Sequence, residues 1–339
     1  MTRWTLAVLA LAGATMHAQS GASTPAPVIV TPDNFTRAET DTIYANGVKS
    51  HGLGIFEHHR EPIAIDFHIV RPNRDTLYSL AIFDLDAGPL TITLPEAGPR
   101  FMSLQVIDQD HYTPNVFYGA GVYTFAKDAI GTRYISIGVR ILVDPEDSRD
   151  IQHVHALQDA IKVSQPGGPG RFEIPLWDQA SQKKVRDSLL ALAETLPDSR
   201  RTFGPRGEVD PVRHLIGTAF AFGGNPEKDA LYLNVTPARN DGTTVHRLAA
   251  KDVPVNAFWS ISVYDAEGRF QKNPLNAYTL NNIMATKGAD GSVTVQFGGC
   301  DGKVANCLPI MKGWNYMVRL YRPRAEVLNG TWIFPEAKP

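Results

Sequence analysis

Two separate blocks of this chain alternate apolar and polar residues with a period of two, and a block with a period of three to four lies between them. That order constrains the fold most, because successive side chains of a strand point to opposite faces, whereas a helix brings every third or fourth to one side. In the first block, residues 76–83, 90–94, 101–107, 122–125 and 134–143 are short β-branched or aromatic runs separated by Gly, Pro and Asp clusters. In the second, Val255, Ala257, Trp259, Ile261 and Val263 alternate with Asn256, Ser260 and Ser262, predicting a strand with one buried face. Residues 293–297 follow a turn at Asp290-Gly291, and residues 316–321 make a late strand closed by Pro323.

Helical spacing appears first at residues 34–48, through Phe35, Ala38, Thr42, Ala45 and Val48. Three more helices are expected in the middle. Ile151, Val154, Leu157 and Ile161 follow Pro145; Val185, Leu189, Leu192 and Leu196 precede Pro197; and Asp210 caps a helix that has Pro211 in its first position. A parallel sheet needs strands that alternate regularly with helices. The observed order instead predicts a mainly β fold, with two consecutive β-sandwich or jelly-roll-like units and a cluster of helices between them. The expected divisions are a first unit over 33–144, a helical connector over 145–225 and a second unit over 226–339.

The N-terminus has the anatomy of a secretory signal peptide. Arg3 precedes an uncharged apolar run from Trp4 to Thr15, and small or polar residues follow. Cleavage is expected after Ala18, with a mobile Ser/Thr/Pro/Ala-rich leader over 19–32. The apolar run is shorter than the roughly 20 residues of a spanning helix. The mature protein is therefore expected in the periplasm or outside the cell, with no membrane span. In such a compartment Cys300 and Cys307 are expected to pair, closing a small loop worth about 2–3 kcal/mol. A sequence pI near 6.6 and scattered basic residues argue against nucleic-acid binding.

Several stretches carry a family resemblance. Residues 34–41, 71–79 and 109–112 resemble the N-terminal half of a bacterial family described as domain of unknown function 1254. Residues 259–265, 290–293, 313–316, 319–323 and 328–332 resemble its companion, domain of unknown function 1214. The resemblance implies a β-rich two-domain fold, often exported, that assembles into oligomers; it brings no established activity.

Candidate chemistry concentrates in two polar clusters. Arg71-Pro72-Asn73-Arg74-Asp75 stands directly before an apolar strand; there Arg71, Arg74 and the following Tyr78 can hold a ligand, and Asp75 can act as a base. The competing reading is a turn pinned by an Arg–Asp pair. Asp108-Gln109-Asp110-His111-Tyr112 groups acids, an imidazole and a phenol, with Asp108 and His111 as proton carriers and Tyr112 as a ligand contact; a solvated loop fits equally well. Arg319, flanked by Val318 and Leu320, must leave the strand on the opposite face from them and needs water or a partner. Trp259, Trp314, Tyr316, Tyr321 and Trp332 form either an aromatic platform for a ligand, with Asn273, Asn281 and Arg319 as polar ligand contacts, or core. His51, His58, His59, His68 and His111 show no ligand spacing, so no metal is expected. No nucleophile elbow, phosphate loop or dinucleotide fingerprint occurs, and no cofactor is expected. These readings converge on an exported protein that binds a small polar or saccharide-like molecule, or processes it by hydrolase- or lyase-type chemistry. The rival reading is a non-catalytic envelope component that forms a homo-oligomer.

Overall fold

A computed structural model describes residues 26–67, 70–196 and 198–339. The expected signal peptide, its cleavage site and His68 lie outside the described residues. The elements follow in order: α1 (Phe35–His51), β1 (Glu57–His58), β2 (Thr76–Asp84), β3 (Leu90–Leu94), β4 (Met102–Asp108), β5 (Val116–Tyr118), β6 (Gly121–Phe125), α2 (Lys127–Ile130), β7 (Tyr134–Leu142), α3 (Ser148–Asp159) and β8 (Lys162–Ser164). Next come α4 (Gln179–Ala193) and α5 (Pro211–Phe220). The second β block contains β9 (Ala230–Val235), β10 (His246–Ala250), β11 (Trp259–Tyr264), β12 (Thr279–Asn281), β13 (Val293–Phe297), β14 (Cys307–Leu308) and β15 (Asn315–Tyr321), and ends in α6 (Ala325–Leu328). The fold is mainly β, with helices in the middle.

In the first unit one antiparallel sheet has the order β1-β2-β7-β4-β5, and a second has the order β6-β3-β8. Leu90, Ile92 and Leu94 of β3 join Leu77, Phe83, Leu104 and Ile137 of the larger sheet in one buried core. Val154 and Leu157 of α3 enter the same core, so this helix and β8 pack onto the first unit. In the second unit the sheets run β12-β11-β15-β9 and β10-β13-β14. Their shared core holds Trp259, Ile261, Val318, Leu248, Val295 and Trp314.

Two expectations need correction. The leader expected over 19–32 is tied down at its end: Val28 exchanges backbone hydrogen bonds with Leu176 and Asp178, and Val30 is buried beside Phe35 and Trp177. Its apolar residues find a partner in the helical module, which the polar composition around them conceals. Likewise β11 is buried on both faces, not one. Its serines lie against the first unit, so the polar face that alternation assigns to solvent is an internal surface. Cys300 and Cys307 form a disulfide.

Candidate functional site

The residues singled out in sequence fall into two joints between modules. At the first joint, residues 71–75 lie across the polar face of the β12-β11-β15-β9 sheet. That face exists because β-pairing sets Ser260 opposite Arg319, and Asn281 and Thr279 opposite Ser260 and Ser262. Asp75 is fully buried, with its carboxylate accepting from Ser260 Oγ at 2.5 Å and Thr279 Oγ1 at 3.2 Å. Arg319, 2% exposed, donates to Ser262 Oγ at 2.8 Å, to Tyr264 at 2.8 Å and to the Arg71 and Pro72 carbonyls at 3.0 and 3.2 Å. Ser262 and Thr279 are 3.0 Å apart. One proton order links the two charges: Arg319 donates to Ser262, Ser262 to Thr279, and Thr279 to Asp75, with the Ile261 carbonyl, 3.1 Å from Thr279 Oγ1, as a second acceptor. Burial pushes the Asp75 carboxyl upward, while Arg319 and the two hydroxyls pull it down. Burial opposes the Arg319 charge, but Tyr264, Tyr321 and Asp75 hold it protonated.

Arg71 donates to Asn315 Oδ1 at 3.3 Å, and its own backbone sits at φ 51°. Arg74 donates to the Ile63 carbonyl and lies over the Tyr278 ring. Tyr78 is half-buried on the outer face of β2, opposite Arg140 of β7. Asp75, Arg71, Tyr78 and Arg319 thus do come together, although 244 residues separate Asp75 from Arg319 in sequence.

The second joint holds Asp108, His111 and Tyr112 against α5. Asp108 Oδ1 accepts the backbone N–H groups of Asp110 and Tyr112, an Asx-type turn that leads His111 into the left-handed region at φ 63°. Burial raises the Asp108 carboxyl to about 6. His111 is buried between Thr218, 2.9 Å from Nδ1, and Gly223, whose N–H donates to Nε2 at 3.0 Å. A column of planar groups runs from Arg206 over Tyr112 to His214, His111 and Phe222. Burial lowers the pKa of both imidazoles; His214 lowers that of His111 further, whereas the Asp110 and Thr202 carbonyls partly offset the effect of burial at His214. Among the described residues no group of three or more His, Cys, Asp and Glu side chains is placed to hold a metal. Trp259, Trp314 and Tyr316 are core, and Asn281 turns inward to the backbone of Ile283 and Met284.

Beside the first joint the two β units leave a cleft of about 900 Å³. Phe101, Met102, Tyr118 and Leu142 come from one unit and Asn256, Phe258, Ile283, Met284 and Arg322 from the other. Its acidic rim is already engaged: Asp150 pairs with Arg100, Asp147 caps α3 at Arg149 N, and Asp144 accepts from Glu146 N. Arg322 is different. Its backbone, at φ 52°, donates to the Asp229 carbonyl and accepts from Asn256, and its guanidinium lies 4.4 Å from the centroid of the Tyr118 ring. Tyr118 is itself fixed by a 2.7 Å bond to Asp229. Among the described residues no side-chain N–H of Arg322 donates to a protein acceptor, so a firmly placed cation faces the cleft with its donors unspent. Sequence reasoning did not place Arg322, Tyr118, Phe101 or Phe258 in a site; the signal for Arg322 was a charge set between a strand end and Pro323, and the three aromatics carried none.

Two family models match the chain: protein of unknown function (DUF1254) over residues 54–128 and protein of unknown function (DUF1214) over residues 234–325. This is a two-domain DUF1254–DUF1214 protein. The first joint links the two matched spans directly, since residues 71–75 lie in the DUF1254 part and Arg319 in the DUF1214 part. The cleft likewise takes Phe101 and Tyr118 from DUF1254 and Phe258 and Arg322 from DUF1214. The VPA0106 protein of Vibrio parahaemolyticus has a similar fold, with a TM-score of 0.70 at 18% identity over 91% of this chain and 98% of that one. An uncharacterized protein from Burkholderia cenocepacia is similar at a TM-score of 0.51 and 13% identity, over 90% of this chain and 87% of that one. No curated protein matches the DUF1254–DUF1214 chain.

Proposed function

We propose that this protein binds a small organic acid with an apolar body in the cleft between its two β units, the acid group meeting Arg322. The unspent, pre-positioned Arg322 guanidinium in an aromatic-floored cleft is the observation that carries this reading, because a cation fixed before binding loses little freedom when an oxyanion arrives. Phe101, Phe258, Leu142 and Met284 supply the apolar floor. The network of Arg71, Arg74, Asp75 and Arg319 acts as a positioning strut that sets one cleft wall against the other. Asp108, His111 and Tyr112 position the helical module in the same way. The setting we propose is periplasmic or extracellular, supported by the signal-peptide pattern and by the presence of a disulfide; the N-terminus of the mature protein from fractionated cells tests that part.

Thermal melts with octanoate, benzoate and a neutral sugar test the ligand class. The two acids raise the melting temperature of the wild type and not of Arg322→Met, while the sugar leaves both unchanged. Equal shifts in wild type and variant, or a response to the sugar alone, would remove the cleft reading.

A further inference from the structure

A second polar site lies on the other side of Tyr321, on residues that the cleft does not use. Asn73 fixes it. Its Oδ1 accepts the backbone N–H of Asp75 at 3.0 Å, so the amide orientation is set and Nδ2 must face the other way. There Nδ2 lies 3.0 Å from Tyr78 Oη and 3.1 Å from Tyr321 Oη, with a longer approach of 3.4 Å to Thr76. An amide nitrogen has two protons, and the two shorter contacts take them. Both phenol oxygens are therefore acceptors toward Asn73, which leaves each with an O–H proton to give.

Neither O–H finds a protein acceptor among the described residues. Tyr321 is buried and its neighbours hold the phenol protonated, burial first and the Asp75 charge second. Tyr78 is half-buried, and directly across the strand pair stands Arg140, with its guanidinium 5.4 Å from the Tyr78 ring centroid. Arg140 is clamped in turn by Gln105 Oε1 at 2.6 Å and the Gly223 carbonyl at 3.2 Å, which leave some of its five N–H groups uncommitted. Two phenol donors oriented by one amide, beside a clamped cation, make an acceptor site that is arranged before anything binds.

We propose that Tyr78, Tyr321 and Arg140 form a site for an oxyanion, the carboxylate or phosphate group of a small molecule, separate from the Arg322 cleft. Phenol donors suit an anion because a charged acceptor strengthens each bond, and the guanidinium balances the charge where water is partly excluded. Phe258, which lines the cleft, stacks on the Tyr321 ring at 4.2 Å, so the two sites share a wall without sharing a donor.

The test is a pair of titrations, with sodium acetate and with inorganic phosphate, on protein labelled with 13C at the tyrosine ζ carbon. That carbon reports hydrogen bonding at its own hydroxyl, and Tyr78→Phe and Tyr321→Phe assign the two signals by their loss. Saturable movement of both signals with acetate alone assigns the site to carboxylates, with phosphate alone to phosphate esters, and with both to oxyanions generally. In each supporting case Tyr78→Phe, a conservative change at a half-buried ring, weakens binding about tenfold, as expected for one charge-assisted bond, while Arg322→Met binds as wild type does. The proposal is overturned if neither signal moves in either titration, or if Tyr78→Phe binds the anion as tightly as wild type.

Discussion

Asp75 and Arg319 are opposite charges taken wholly out of water, and two hydroxyls stand between them. Such an arrangement adds little net stability but is expensive to break, because removing one charge strands the other. Arg319→Met is expected to cost about 3–5 kcal/mol by denaturant melts, and Asp75→Asn added to it to cost much less than it does alone. Additive costs in that double-mutant cycle would contradict the hydroxyl-bridged pair. Asp108 gives a pH test. Its folded pKa, about 6, lies above that of the unfolded chain, so the folded state holds the extra proton and the carboxyl costs stability progressively as pH rises from about 4 to 6. Asp108→Asn keeps an oxygen for the Asp110 and Tyr112 N–H groups and should raise stability at pH 7.5 by up to about 3 kcal/mol. His111 and His214 have the opposite sign. Their depressed folded pKa values make protonation an unfolding force below about 6.5. The Asn variant should therefore lose stability more steeply than wild type as pH falls from 6.5 toward 4; parallel melts for the two proteins would contradict the Asp108 assignment, and an Asn variant whose stability does not fall over that range would contradict the histidine one.

The α5 helix shows what pattern reading captures and what it misses. Its start was legible from Asp210 and Pro211, and Asp210 Oδ1 indeed accepts from Val212 N and Arg213 N. The strands at 90–94 and 293–297 were legible for the same reason, since local turn residues and side-chain alternation define them without outside help. What β11 faces was not legible: alternation says that Ser260 and Ser262 lie on one side but cannot say that residues 71–75 cover that side. Arg319 was recognised as needing a partner, but two of its acceptors, the Arg71 and Pro72 carbonyls, lie on the other unit, beyond the reach of local pattern. Arg322 escaped because nothing in its neighbourhood distinguishes a cation facing a cleft from one facing solvent. Gly217, inside α5, carries a test of the tertiary contact. In an isolated helix Gly→Ala stabilises by about 1 kcal/mol. Here an added Cβ would stand 2.1 Å from Thr202 Cγ2 and 3.2 Å from the Phe203 ring. Gly217→Ala is thus expected to destabilise by about 1–3 kcal/mol, and a higher melting temperature would show that α5 does not pack as described.

At the scale of the whole molecule, two β units are bolted by a buried polar strut, and a cleft remains where their edges do not meet. Each unit has its own core, so the strut sets their relative placement more than their individual folding. The Cys300–Cys307 bridge lies in the second unit, and neither cysteine lines the cleft. Its removal by Cys300→Ser with Cys307→Ser should lower stability by about 2–3 kcal/mol through loop entropy and leave ligand response intact; a lost response with unchanged stability would contradict that separation. The decisive measurement is a calorimetric titration of octanoate into the wild-type and Arg322→Met proteins. Saturable binding by the wild type, weakened tenfold or more in the variant, is the expected result. The same affinity in both, or heat from neither, would contradict a cleft that receives an organic acid through Arg322.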